Sequence, residues 1–401
     1  MLTNEILTAI AQQYGTPLYV YDAGKIEEQY HRLTEAFSGT RPRFYYAAKS
    51  LTNINILKLM HSLGAGADTV SINEVKLALR AGFTPNQVLF TPNCVAFEEL
   101  EEARSLGVHI NIDNISLLEQ FGNKYGGTYP VIIRINPHIM AGGNFKISTG
   151  HVDSKFGISI HQMRHIERIV RTTGLLVHGL HMHTGSEIKD IGVFTEGLEV
   201  IFGVARNFKD LKYIDLGSGF KVPYGPDDYG TDINELGRQL QRMVEQYREE
   251  NGSAPEIWFE PGKFMVSEAG YFIVRVNVIK QTPATVFAGV NSGFNHFVRP
   301  MFYEAHHLIR NISNPGGTER IYTVVGNLCE TDTFGWDRRI NEIREGDFLV
   351  FHNAGAYGYE MASNFNSRLK PAEVLWKDGK AYLIRERDEF EDLLRGQVEV
   401  L

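Results

Sequence analysis

From residue 43 to about residue 262 the apolar residues fall into two alternating rhythms. Short β-rich runs, beginning with RFYYAAK, give way to longer stretches in which apolar side chains recur at helical spacing. Ile54, Leu57, Met60 and Leu63 do so in NINILKLMHSLG until Gly64 closes the pattern. The pair repeats as GADTV and SINEVKLALRAGF, where Ser71 and Glu74 form a capping box, then as QVLFTP and AFEELEEARSLG, then as VHINID and SLLEQFGNKYG. YPVIIRIN follows. A loop from about 137 to 157, rich in Gly, Ser and Lys, separates it from the helix IHQMRHIERIVRTTG, and so long an insertion is more often functional than idle. LLVHGLHMHTG, LKYIDLGSGF and EIWFEPG complete eight strands, with FTEGLEVIFGVARNF and INELGRQLQRMVEQYREENG as the intervening helices. Parallel neighbours require crossovers, and these crossovers are helix-sized, so the expected class is α/β with a closed (β/α)8 TIM-type barrel.

After Gly262 the rhythm changes. GYFIVRVNVIKQ, TVFAGVNSG, RIYTVVGNLCE, DFLVFHNAGAYG and AEVLWKDGKAYLIRE are β-rich and joined by turns, which predicts an appended all-β domain. TPLYVYD near the N-terminus is strand-like but stands outside the barrel count. The expected organisation is therefore a barrel over 28–268 and a β-sandwich or barrel-like domain over 269–401, joined by the N-terminal strand from 1–27.

The 401 residues are long enough for this arrangement, and the formal net charge of −8 is spread without a basic stripe. Nucleic acid and anionic membrane surfaces are thereby disfavoured as partners, and a small molecule is the default. No apolar run approaches the ~18 residues that a membrane-crossing helix requires, and the amphipathic start MLTNEILTAIAQQYG lacks the features of a secretory signal. Two cysteines, Cys94 and Cys329, make no disulfide framework and no metal motif, and suggest a reducing cytoplasm. No histidine falls in a helix-borne ligand pair, so no metal is expected.

In a barrel of this type the carboxyl ends of the strands share one face, which holds the active site. Read in order, those ends present Lys49 after strand one, Asp68 in strand two, Arg134 in strand five, His183 after strand six, Gly217 to Gly219 after strand seven, and Glu260 to Lys263 after strand eight. A lysine at a strand end most often marks where the chain meets water. Here it accompanies a glycine-rich loop that can admit an anion to backbone N–H groups and an acid on strand eight. Together they suggest a phosphorylated cofactor whose aldehyde meets Lys49 and whose ring nitrogen meets Glu260. Pyridoxal 5'-phosphate has those parts.

The ordered set YYAAKS, GADTVSINEV, HTGSE, LGSGF, EPGK, RPMFYEAHH, NLCETD and AGAYGYEMASNFNSRLKPAEV resembles the diaminopimelate decarboxylases over nearly the whole chain. These enzymes belong to the fold-type III, alanine racemase-like group of pyridoxal-phosphate enzymes, which also holds ornithine decarboxylase. The resemblance implies that Lys49 is the Schiff-base lysine, that His183 stacks on the cofactor ring, that Ser186 and Gly219 contact phosphate, and that Glu260 partners the ring nitrogen. It makes Asp68 and Glu74 supports for lysine and ring, and Pro261 and Gly262 part of the cofactor-binding turn. From the β domain, Cys329 matches the proton donor, Glu330 a substrate contact, and Tyr357 a contact near cofactor and substrate. Arg299 and Tyr303 match substrate-carboxylate and hydroxyl contacts. One position departs: the motif after strand eight usually ends in arginine, and Lys263 keeps the charge for cofactor or substrate but not the planar fork. Two-domain members of the group are usually homodimers, which implies a site shared across the interface.

The chemistry of the residues agrees with decarboxylation. A ring kept protonated by a carboxylate is a strong sink for the electron pair left on Cα, and a thiol such as Cys329 can return the proton. Glu330 beside Arg299 offers an anion and a cation to a distal amino-acid group, which meso-2,6-diaminopimelate has and a simple diamine precursor lacks. Two other readings stand beside this one. The chain could be another enzyme of the group, such as a carboxynorspermidine or ornithine/lysine decarboxylase or a racemase, or a silent binding homologue, which would have no chemical need for Lys49 and Cys329 together.

Overall fold

The computed structural model describes residues 2–139, 153–225 and 227–401. The chain divides into two compact units. One contains residues 29–222 and 229–264; the other contains 1–28, 223–228 and 265–401.

In the first unit eight parallel strands close on themselves: β2 (Arg43–Ala47), β3 (Gly66–Thr69), β4 (Val88–Phe90), β5 (His109–Ile112), β6 (Val131–Asn136), β8 (Val177–His181), β9 (Tyr213–Asp215) and β10 (Glu256–Phe259). Pairing of β10 with β2 and of β5 with β6 completes the ring, so no strand edge is left open. All eight coincide with the runs read from the sequence. A short strand, β7 (Ile158–Ser159), adds to the end of β6. Most of the Gly/Ser/Lys-rich insertion, residues 140–152, lies outside the described residues.

The interior explains why the strands read as almost continuously apolar. Tyr45, Leu89, Ile132, Tyr213 and Trp258 form one buried cluster inside the ring, with the Tyr213 and Trp258 rings stacked at 3.8 Å. These side chains fill one level of the barrel. Two residues further along β10, and hence on the same side of the strand, stands Glu260. The barrel therefore passes from an aromatic plug to a polar level.

The crossover helices begin where the local chemistry predicts. Ser71 Oγ accepts from Glu74 N at 3.2 Å, and the Glu74 carboxylate accepts from Val70 N at 2.7 Å, one residue outside the expected capping box. Asn114 and Asp232 cap the helices Ile115–Tyr125 and Ile233–Asn251 in the same way.

The second unit is built on a nine-stranded mixed sheet. Its main path runs β15 (Thr333–Asn341), β14 (Glu319–Val325), β12 (Val286–Val290), β11 (Gly270–Gln281), β1 (Leu18–Asp22), β17 (Ala372–Lys377), β18 (Lys380–Arg385), and β16 (Phe348–Phe351) joins β11 to β13 (Ile309–Asn311). The N-terminal strand β1 is central, antiparallel to β11 and parallel to β17, and all five of its residues are buried. The amphipathic start of the chain is the helix Asn4–Tyr14, whose Leu7, Ile10 and Ala11 pack with Leu18, Val20, Tyr271 and Val374. Each such aliphatic side chain contributes about 1.5–3 kcal/mol by leaving water. Strands β13 and β15 were not anticipated. β15 is an edge strand carrying Asp337, Arg338 and Arg339 in succession, so charge that suits an open edge hides its β character from a hydrophobicity pattern.

Candidate active site

Within the barrel unit the strand ends collect the ionisable residues. Lys49 lies in the single turn Ala48–Ser50 that follows β2, and register places Ala47 beside Asp68 of β3. The Lys49 ammonium is 3.5 Å from Asp68 Oδ2; the lysine side chain is 39% exposed and the aspartate fully enclosed. Arg134, His181 and Asp215 occupy one register row across β6, β8 and β9, all buried. Glu260 then brings its Oε1 to 3.2 Å from His181 Nε2 and accepts from Thr91 Oγ1 at 3.4 Å.

Burial and mutual proximity sort these groups by charge. Burial alone would raise the Glu260 carboxyl, but His181, within hydrogen-bonding distance of it, and Lys49 outweigh burial and hold it well below the usual range, so Glu260 is the acid that ionises first. Asp68 moves the other way, to about 7, because it is buried beside the Glu260 charge and Lys49 offsets only part of that. Asp215 is pushed up more strongly by the same two causes. His183 is lowered to about 3, first by burial and then by Arg134 and Lys49, and is a neutral ring at physiological pH. The site thus keeps one anion where a protonated ring nitrogen would need it.

Two glycine-rich turns meet at this end. Gly217 N donates to Asp215 Oδ1 at 2.8 Å, Ser218 N donates to His183 Nδ1 at 3.3 Å, and Ile188 N donates to the Gly219 carbonyl at 2.9 Å. Gly219 has φ +115°, and a Cβ there would stand 2.4 Å from the Gly185 carbonyl oxygen. Ser186 lies in the facing turn, half-buried. In Glu260-Pro261-Gly262-Lys263 the Pro261 carbonyl accepts from Ala47 N at 3.2 Å, and a Cβ on Gly262 would meet Ala47 Cβ and Ser50 Oγ at 3.0 Å. The turn bearing Glu260 is thereby seated against the turn bearing Lys49. Lys263 is buried, with its ammonium 2.7 Å from Glu187. The ammonium makes a single close contact with one carboxylate oxygen, where a guanidinium could make two.

The second unit carries the remaining candidates. Arg299 is 3% exposed; its Nε donates to His307 Nε2 at 3.3 Å, its Nη2 to Tyr224 Oη at 3.2 Å, and its guanidinium lies over the Tyr303 ring at 5.4 Å. His307 Nδ1 is 2.9 Å from the His352 carbonyl, so the proton belongs on Nδ1 and Nε2 is the acceptor for Arg299. Cys329 and Glu330 are exposed neighbours on the loop after β14. Tyr357 is half-buried with φ +55°. Asn366 was missed by the sequence reading: its side chain accepts from Cys329 N at 3.0 Å and donates to Cys329 Sγ at 3.2 Å.

His181 and Asp215 were also missed. Their signal is positional, a polar residue at the last buried place of a barrel strand in LHMH and IDLG. With Glu260 they offer ligand atoms all within 4.8 Å of one another, a grouping with the donor types of a metal site that sequence spacing did not suggest. Among the described residues no helix is long and apolar enough to cross a membrane.

The comparisons with known proteins extend over the whole arrangement. Residues 23–267 match the family model of the pyridoxal-dependent decarboxylases, pyridoxal binding domain. A diaminopimelate decarboxylase of Methanothermobacter thermautotrophicus is 39% identical, over 97% of this chain and 93% of that protein. The crystal structure of diaminopimelate decarboxylase from Helicobacter pylori complexed with L-lysine superposes with a TM-score of 0.90 at 32% identity, covering 97% of this chain and 98% of that one. The lysine/ornithine decarboxylase from Vibrio vulnificus complexed with putrescine, at 20% identity and TM-score 0.82 over 93% of this chain and 98% of that one, shares the fold. On a match that runs through both units, the chain belongs to the pyridoxal-dependent decarboxylases, in the family of the diaminopimelate decarboxylases.

Proposed function

We propose that this chain is a carboxy-lyase that uses pyridoxal 5'-phosphate to convert meso-2,6-diaminopimelate to L-lysine and carbon dioxide, the last step of lysine biosynthesis. The observation that carries the reading is the buried Glu260, 3.2 Å from His181 and seated, through its turn, against the turn that presents Lys49. The residues fit the cofactor: two glycine turns with backbone bared by the absence of Cβ at Gly217 and Gly219, a neutral half-buried imidazole, an acid and a partly exposed ammonium. When bound, the cofactor supplies an electron sink for the pair released as carbon dioxide leaves.

The roles of the chain's own residues follow. Lys49 provides the amine that takes the cofactor's aldehyde, with Asp68 beside it. Glu260 holds the proton on the ring nitrogen. His183, neutral, gives the ring a flat face without adding charge to it. Gly219, Ser186 and the turn Pro261–Lys263 hold the phosphate end, and Tyr357 closes on cofactor and substrate. Cys329 returns a proton to Cα. Glu330, Arg299 and Tyr303 bind the distal amino and carboxylate groups, each charge-assisted hydrogen bond contributing about 1.5–3 kcal/mol, enough to separate this substrate from a simple amino acid by at least tenfold. The working form is a cytoplasmic homodimer in which Cys329, Glu330 and Tyr357 serve the cofactor of the other subunit.

Borohydride reduction followed by peptide mapping is expected to trap the cofactor on Lys49, and carbon dioxide release is expected to be fastest with meso-diaminopimelate among diaminopimelate, ornithine, lysine and carboxynorspermidine. An adduct at Lys49 with faster release from another amino acid would keep the mechanism and refute the substrate. No adduct at Lys49 would refute both.

A further inference from the structure

We propose that Asn366 is a positioning residue for Cys329, holding the sulfur as a hydrogen-bond acceptor so that its own proton is the one left to give. The inference rests on the reading of Cys329 as the proton donor. The backbone N–H of Cys329 can only donate, so the atom of the Asn366 amide facing it at 3.0 Å must be the oxygen. The other end of the same amide, which faces Sγ at 3.2 Å, is then the NH2 group, and it can only donate. One side chain therefore fixes both the backbone and the thiol of Cys329, with the direction of each bond set by chemistry.

The site of the amide is itself built. Asn366 has φ +57°, in the left-handed region that asparagine tolerates better than most residues, inside the short turn Phe365–Ser367. The turn is held to the loop of Cys329 from both sides. The Phe365 ring stacks on Phe294 at 5.6 Å, and Arg368 Nη2 donates to the Asn327 carbonyl at 3.0 Å. Asp332 closes the cysteine's loop by accepting from Leu328 N at 3.1 Å. Glu330 and Asp332 are the charged residues of the cysteine's own loop, and Arg368 follows the facing turn.

The consequence concerns the proton. As it passes from sulfur to Cα, negative charge appears on Sγ, and the Asn366 N–H already points at it. The thiolate regains a proton from solvent for the next turnover. An N–H donor stabilises negative charge on the atom it faces.

The test uses the holoenzyme in a C94S background, where Cys329 is the sole thiol. The rate of alkylation by iodoacetamide is followed by intact mass from pH 6 to pH 10. N366D keeps an oxygen for the Cys329 N–H and replaces the donor at sulfur by a second, charged oxygen, so the midpoint of the profile is expected to rise by about one unit or more, a tenfold or greater loss of thiolate at fixed pH. N366G keeps the left-handed backbone and deletes the amide, and its midpoint is expected to rise by less. With meso-diaminopimelate, kcat of N366D is expected to fall while KM stays within twofold. An N366D profile superposable on the parent's would overturn the inference; should N366D not fold, an unshifted N366G profile would do the same. C329A separates the two readings. If C329A keeps its kcat, the donor role fails and this inference with it; if C329A loses kcat and the N366D profile does not move, only the role of Asn366 fails.

Discussion

Alanine at position 219 would probe the close approach of the two glycine-rich turns. The backbone there has φ +115°, a conformation that costs an L-residue about 1–3 kcal/mol. The added methyl would stand 2.4 Å from the Gly185 carbonyl oxygen and 2.8 Å from Ile188 Cδ1. Ile188 can rotate, but the carbonyl is backbone and must move, for a further ~1–3 kcal/mol of overpacking. The sum is about 2–6 kcal/mol, and the available relief is to part the turn 185–188 from 217–220, breaking the 2.9 Å bond from Ile188 N to Gly219 O. Because Ser186 sits in the displaced turn, the loss reaches the phosphate end of the cofactor. G219A is expected to melt lower as the apoprotein and to bind pyridoxal phosphate at least tenfold more weakly, since as little as 1.4 kcal/mol of the cost falling on the bound state gives that factor. Calorimetry of the apoprotein and a spectrophotometric titration with the cofactor read the two effects separately. A variant that melts within about 1 °C of the parent and binds within twofold would refute the packing argument.

Three further outcomes follow from the charges. E260Q removes the most readily ionised acid of the buried cluster and is expected to lower kcat on the order of 10²–10³-fold while the Lys49 adduct still forms on borohydride reduction; a loss under fivefold would contradict the role of Glu260. Asp68 binds its proton more tightly folded, at about 7, than at its ordinary 3.8, so protonation favours the folded state at low pH. That contribution, up to about 4 kcal/mol, is complete below about pH 4 and lost as pH rises through 7. D68N should lack this slope, and parallel apoprotein melting profiles of parent and D68N from pH 4.5 to pH 8 would contradict it. Mixing K49A with C329A is expected to restore about a quarter of parent activity through the one intact site of each mixed dimer, and no recovery after verified subunit exchange would place each site within one chain.

The barrel was legible because each strand is bounded by a change of period. RFYYA is followed by the helical spacing of Ile54 to Leu63, and VIIRI and VHGLH are buried along almost all their length because both faces of a barrel strand are covered. That Lys49, Asp68, His183 and Glu260 gather at one end of the barrel was legible for a related reason: the carboxyl ends of parallel barrel strands share one face. β15 was not legible, because an edge strand wants Asp337 and Arg338 where a hydrophobic pattern wants alternation. Asn366 was not legible either. Its partner lies 37 residues away and its role depends on a left-handed turn that composition does not announce.

The sequence by itself determined the order of the barrel's strands and helices and the type of the cofactor-binding chemistry, since periodicity and side-chain functionality are properties of the chain. Only the tertiary structure decided which of several buried acids carries the charge. Asp68, Asp215 and Glu260 are alike as carboxylic acids, and burial raises all three; what separates them is distance, because His181 and Lys49 compensate Glu260 most fully, and its charge then raises Asp68 and Asp215 by more than their own partners offset.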